Sequence, residues 1–448
     1  MIRIGAGAGY AGDRLEAAQT LIARGDLDYV VLECLAERTL ALAHARRRAD
    51  PEKGYDAALS TRMEALLPLC AAREGRPTRL VSNLGAANPA GALTATAEIA
   101  SKLGLHGWRI GAIEGDDVLS ELAGLDRDVW ETGEPLAGIL DEIQWAHAYL
   151  GAESLLPALD LDCNVILGGR IADPSLFVAP LMHEFGWAAD DWDRLGKATV
   201  VGHLLECGAA VTGGYFADPG RKDIPDLLNI GMPIADVLAD GTATISKTPR
   251  SGGRVSIETV REQLLYEIHD PASYLTPDVT ADFSGASLDE ATPDRVCVSG
   301  ISGRARPEEL KVILGVADGF IGEGEMSYAG PGCLARARAA AAIAEQRLTG
   351  PGRPCAALRI EYIGYDSILG PIIQRAQPAE PPEVRLRIAG RTSSKREALQ
   401  IGEEVEALTL TGPAGGCGKR SSWREVSSVR STSIPRDRIR TRLLSERI

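Results

Sequence analysis

The sequence predicts an α/β fold, a mostly parallel sheet flanked by helices, with a smaller C-terminal α+β domain after it. Three observations carry this expectation. Through the first two-thirds of the 448 residues, short β-rich apolar runs alternate with stretches of helical periodicity, the pattern of a sheet covered by helices. Those runs are continuously apolar, as strands buried on both faces must be. Past about residue 280 the runs lengthen and several alternate in polarity, which suits a second, more exposed sheet.

The elements follow in order. "MIRIGA" opens as a strand and a helix follows over 13–24. "LDYVVLE" is the second strand, with a helix over 35–48. "TRLVSN" is the third, and a helix runs from Pro89 to Leu103. "GWRIGAIEG" and "CNVILGG" are further strands, each followed by helical sequence. In the C-terminal part, "DRVCVSGISG", "ELKVILGVADGFIGEGEM", "AALRIEYIGY" and "EVRLRIAGRT" read as strands, with helices over 331–348 and 395–408. The Pro-, Asp- and Ser-rich "LTPDVTADFSGASLDEATPD" is the best boundary, giving domains over 1–280 and 281–448.

The formal net charge of −14 argues against nucleic-acid binding, which needs a basic footprint. No run is apolar enough to cross a membrane and no signal-peptide core opens the chain, so a cytoplasmic protein is expected. The eight cysteines are scattered without C-x-x-C spacing and the six histidines form no H-E-x-x-H, so no metal site is expected. From Lys419 to the end, nine basic residues stand against three acidic ones. Such a tail on an acidic body is expected to dock on its own chain or on a neighbouring subunit, and a homo-oligomer is the expectation.

Residues 7–12 read G-A-G-Y-A-G, a match to the dinucleotide pattern G-x-G-x-x-G, and Glu33 stands where a ribose-binding acid would. Gly7, Gly9 and Gly12 would let a ligand approach the backbone closely. Asp13 speaks against pyrophosphate, since a carboxylate already answers the helix dipole there. An empty β–α turn and a loop for another substrate remain open readings.

Ligands of α/β sheets lie beyond the carboxyl ends of the strands, and several loops there carry chemistry. "SNLGAANP" offers Asn83 and Asn88 to a carboxylate or carbonyl. "GGRIADPS" offers Arg170 as a bidentate carboxylate partner and Asp173 as a proton carrier or helix cap. If 192–210 is helical, His203, Glu206 and Cys207 share one face and supply a base and a nucleophile. Thr212, Gly213 and Gly214 form the adjoining turn. "SKTPRSGGRVSIETV" places Arg250, Gly252 and Gly253 before a helix as an anion site. "GEGEMSYAGPG" sets Glu323 and Glu325 in what reads as a solvated turn.

Taken together, "IGAGAGYAGDR", "SNLGAANP", "GGRIADPS", "LLECGAAVTGGYFAD", "PRSGGRVSIETVREQLLYEIHDPASYLTPDV", "GEGEMSYAGPG" and "GPAGGCGKR" resemble the acyclic terpene utilisation (AtuA) family over nearly the whole chain. The resemblance implies catabolism of branched isoprenoid acids through acyl-CoA thioesters, and brings no assigned catalytic residues with it. It also implies that the glycine loop is a substrate loop of the family's own.

The expected function is therefore an enzyme acting on a branched or hydroxy carboxylate, or its acyl-CoA thioester, by hydration, dehydration or carbon–carbon cleavage. Proton carriers would be His203, Asp13, Asp173 and Glu206, with Arg170, Asn83 and loop N–H groups for an oxyanion. No cofactor is expected beyond coenzyme A as part of a substrate. A non-catalytic subunit of an acyl-CoA enzyme and an NAD(P)-linked oxidoreductase are the alternatives.

Overall fold

The computed structural model describes residues 1–355, 357–370, 372 and 379–448. It divides into two compact units, 1–314 with 430–448, and 315–429.

The larger unit begins with β1 (Ile2–Ala8), α1 (Leu15–Gly25), β2 (Tyr29–Leu32), α2 (Glu37–Ala49), α3 (Leu59–Ala71), β3 (Arg79–Ser82) and α4 (Pro89–Lys102). Then come β4 (Arg109–Glu114), β5 (Ile143–Ala148), α5 (Leu156–Asp160), β6 (Val165–Leu167), α6 (Ser175–Phe185) and α7 (Trp192–Glu206). β7 (Pro233–Val237), β8 (Ala243–Lys247), α8 (Ile257–Leu265), β9 (Tyr274–Leu275) and β10 (Thr280–Asp282) follow. β11 (Ser287–Thr292), β12 (Arg295–Ser299), β13 (Ser302–Arg304) and the start of β14 (Glu309–Ala329) lead out of it. In the smaller unit lie the rest of β14, α9 (Cys333–Leu348), β15 (Leu358–Ile363), β16 (Glu383–Thr392), α10 (Lys395–Thr411) and most of β17 (Cys417–Pro435). β18 (Arg442–Arg447) closes the chain in the larger unit.

The main sheet has the order β11-β12-β8-β7-β1-β2-β3-β6-β4-β18. Its centre is parallel: β1, β2, β3, β6 and β4 pair that way, with Ile4 opposite Tyr29 and Val81 opposite Ile166. The flanks are antiparallel, β7 on β1 and β18 on β4 included. The α/β class therefore holds, but the expected mostly parallel sheet is corrected to a mixed one. The cause is local. β7 and β8 are joined by the short turn at Asp240 and Gly241, which only an antiparallel hairpin can use. The basic tail docks on its own chain as β18, where Arg442 meets Glu114.

The central strands are buried along their length, as continuous apolar runs require. Cores lie on both sides of the sheet, one built around α5, α6 and α7 and the other around α1, α3 and α4. Asn88 starts α4 by accepting from the Gly91 N–H, with Pro89 at the first helical position. Asp191 starts α7 in the same manner.

The smaller unit is a sheet of order β15-β16-β14-β17 with α9 and α10 packed on its core residues. The strand expected at "AALRIEYIGY" begins at Ala356, which lies outside the described residues; β15 forms from Leu358 on. Glu323 and Glu325 do not stand in a turn. They lie within β14 opposite β16, where Glu323 meets Arg387 and Arg424 and Glu325 meets Arg385.

Candidate active site

The carboxyl ends of β1, β2 and β6 deliver their loops to one edge of the sheet, where the start of α2 and the end of α7 meet them. Together they enclose a pocket of about 570 Å3. Gly9, Glu33, Glu37, Arg170, Asp173 and Glu206 are among its walls.

Gly9 lies against the end of α7. A Cβ on it would sit 2.3 Å from the Cys207 carbonyl carbon and 2.4 Å from the Gly208 nitrogen, so only glycine lets the loop pass. Asp13 folds back onto this loop, and its Oδ2 accepts from the N–H of Gly9 at 2.6 Å and of Tyr10 at 3.2 Å. It is not the cap of α1; that position is Arg14, which makes no side-chain cap bond. The carboxylate thus takes two of the donors that a pyrophosphate would use.

Glu33 follows β2 and is buried. Its Oε1 accepts from Leu35 N–H at 2.8 Å and from the Asn83 amide at 2.9 Å, and Asn83 Oδ1 accepts from Cys34 N–H at 2.8 Å. Asn83 therefore holds Glu33 in place from behind. Burial, reinforced by the Asp173 charge and opposed by Arg170, pushes the Glu33 carboxyl up to about 8.

Arg170 is 1% exposed. Its guanidinium donates to the carbonyls of Leu35 and Ile171 and to Asp173, and lies 4.6 Å from the centroid of the Tyr149 ring. These bonds direct it inward, so the bidentate fork expected for a substrate carboxylate is already engaged by the protein. Asp173 precedes α6, whose cap position is Pro174, and its side chain keeps 36% of its surface exposed. Burial raises its carboxyl, with Arg170 opposing.

α7 brings His203 and Glu206 onto one face, as the spacing predicts, with Nδ1 and Oε1 3.0 Å apart. His203 is 2% exposed and sits behind Glu206 against Tyr274 and Phe283, ring centroids 5.6 and 5.8 Å away. Burial drives its imidazole down to about 4, so it is neutral across the physiological range and does not titrate near pH 7 as expected. Burial, then the charges of Asp173 and Glu267, drive the Glu206 carboxyl well above the usual range. Its Oε2 and the His203 Nε2 are buried without a partner among the described residues. Cys207 lines the pocket as a thiol, since burial and Glu206 push it up to about 12.

Other expected residues lie elsewhere. Gly7 is inside β1 against Leu32, and Gly12 lies beside the Tyr10 ring. Asn88 is the cap of α4 and also donates to the carbonyls of Pro51 and Lys53. Thr212 donates to the carbonyls of Ala209 and Gly231, Gly213 packs on Ile224, and the Gly214 N–H donates to Ala209. Arg250 lines a separate cavity with Arg14 and Arg24, while Gly252 and Gly253 pass close to the carbonyls of Asp226 and Thr212.

Glu37, Arg38, Tyr149, Glu267 and Lys311 also line the pocket and do not stand out in the sequence. The Tyr149 hydroxyl donates to Glu37 at 3.0 Å, and Lys311 Nζ lies 5.1 Å from the ring centroid. Glu37 and Arg38 open α2 just beyond the carboxyl end of β2, where ligands of such sheets lie. Glu267 and Lys311 arrive from distant segments and leave no local signal. Behind Arg170, a buried chain runs from Asp116 to His147 and His44, each link 2.7 Å, and Asp116 Oδ2 also accepts the Arg170 N–H at 2.7 Å.

A second cavity of about 580 Å3 shares Tyr149, Asp173 and Lys311 with the first. Its walls include Trp130, Tyr274, Leu275, Pro277 and Leu310. Among the described residues no group of histidine, cysteine and acidic side chains is placed to hold a metal ion, and no helix is long and apolar enough to cross a membrane.

A family model described as "Acyclic terpene utilisation family protein AtuA" matches residues 2–444. No curated protein and no solved structure matches the chain.

Proposed function

The chain belongs to the acyclic terpene utilisation (AtuA) family, and on that premise we propose an enzyme of lyase type. It would act on a branched or hydroxy carboxylate, free or as its acyl-CoA thioester, by hydration, dehydration or carbon–carbon cleavage. The observation that carries the reading is the gathering of Glu33, Asp173 and Glu206 on one pocket, where burial raises each carboxyl and Asp173 is the one salt-bridged to Arg170 among the described residues. Carboxyl groups with separated protonation are the means by which one site supplies both an acid and a base.

In the dehydrating direction, Asp173 is the base. It is the most open of the three and is paired with Arg170, which favours its ionised form. Glu206, held protonated in the pocket wall, gives a proton to the departing hydroxyl. His203 holds the other oxygen of Glu206 and fixes its rotamer. Arg38 and Lys311 in the wall meet the negative charge that develops on the carboxyl or thioester oxygen.

The NAD(P) reading has less support, because Asp13 engages Gly9 and Tyr10, and Glu33 is turned to Leu35 and Asn83. The test is a mass-spectrometric screen of hydroxy acids and acyl-CoA thioesters with the wild type and Glu206→Gln. Water gain, water loss or chain cleavage confined to the wild type supports the proposal. No conversion of any member would favour the non-catalytic subunit.

A further inference from the structure

We propose that the second cavity seats the aliphatic chain of a monocarboxylate and that Lys311 binds its carboxylate where the two cavities meet. The inference rests on the reading of the first pocket as the reacting site, and adds which residue holds the substrate and which way its chain runs.

Charge complementarity selects Lys311. Three charged side chains line the second cavity. Asp173 is paired with Arg170, and Glu309 with Arg127 and Ser433. Lys311 forms no salt bridge among the described residues; its ammonium lies over the face of Tyr149, and Glu37 feels its charge without a direct ion pair. Of the neutral polar groups, Thr276 donates to Val279 O, Tyr149 to Glu37 and Ser433 to Glu309. One unpaired cation therefore stands at the mouth of an otherwise largely apolar chamber. An anion with an apolar body answers both features.

Continuity fixes the direction. Tyr149, Asp173 and Lys311 border both cavities. A carboxylate on Lys311 places the first carbons of the chain beside Asp173 and sends the remainder toward Leu275, Pro277 and Leu310. A second anchor is not needed from Arg170, which the protein itself engages.

The test is titration calorimetry with octanoate and with octan-1-ol, the same chain without its charge. Lys311 is exposed, so Lys311→Met should fold, which its thermal melt will verify. Leu275 is 63% exposed, so Leu275→Glu is tolerated on the same ground. The wild type should bind octanoate at least about tenfold more tightly than octan-1-ol, the scale of one charge-assisted bond. Lys311→Met should remove that preference and leave octan-1-ol binding unchanged, and Leu275→Glu should weaken both ligands. The proposal fails if neither ligand binds, if acid and alcohol bind alike, or if Lys311→Met retains the preference. Turnover is not read, so octanoate binding without any lyase activity would overturn the function proposed above and leave this assignment standing.

Discussion

His203 Nδ1 and Glu206 Oε1 lie 3.0 Å apart one helical turn from each other, and both are buried at the back of the acidic pocket. Burial drives the imidazole down and the carboxyl up, so each is held in its neutral form. The pair differs from a histidine base activated by a carboxylate, because here the proton rests on the acid. Glu206→Gln should therefore reduce turnover by about two to four orders of magnitude, the usual span for a lost proton donor. His203→Gln should do less, since it can still offer Glu206 a hydrogen-bonding partner. Steady-state kinetics on a substrate found by the screen checks the order of the two effects.

Acid should weaken the fold through the buried histidines. His44 is lowered from 6.5 to about 3 and His203 to about 4, in both cases chiefly by burial. The unfolded chain takes protons first as pH falls, so their contribution is intact above about 6.5 and is lost on the way to about 3 to 4. Denaturant unfolding of the wild type and of His203→Gln over this range should show a shallower loss in the variant.

Asp13 closes the glycine loop through the N–H groups of Gly9 and Tyr10. Asp13→Ala should cost about 1–3 kcal/mol in unfolding free energy, the worth of hydrogen bonds to a charged group. Asp13→Asn should recover part of it. A variant as stable as the wild type would mean that the loop holds its shape without the carboxylate.

β18 covers the edge of β4 along six residue pairs, from Arg442 opposite Glu114 to Arg447 opposite Arg109. Deleting 442–448 should bare that edge and promote association of chains through it. Light scattering should then record larger species than for the full chain at equal concentration.

The sequence made the parallel centre of the sheet legible because strands such as YVVL are buried on both faces and admit one reading. The antiparallel flanks were hidden, since β7 and β8 are short and interrupted by Asp236, Thr244, Ser246 and Lys247, so neither reads as a buried apolar run. In the site, Glu33, Arg170, Asp173 and Glu206 could be found because they stand at strand ends or at helical spacing. Which of their bonds point inward leaves no trace in the sequence: Arg170 has the chemistry of an anchor, yet the carbonyls of Leu35 and Ile171 engage it. The charge state of His203 is hidden for a related reason, because burial sets it and a local pattern does not report burial on all sides.

The central claim is that the pocket keeps carboxyl groups protonated at neutral pH, and carboxyl-carbon NMR of protein labelled at glutamate tests it most directly. A titration from pH 4 to 9, with Glu33→Gln and Glu206→Gln for assignment, follows each group. The account predicts that the Glu33 resonance moves near pH 8, from 4.5 in its ordinary state, and that Glu206 is still protonated at pH 7. Both resonances fully shifted to the ionised position by pH 6 would contradict it.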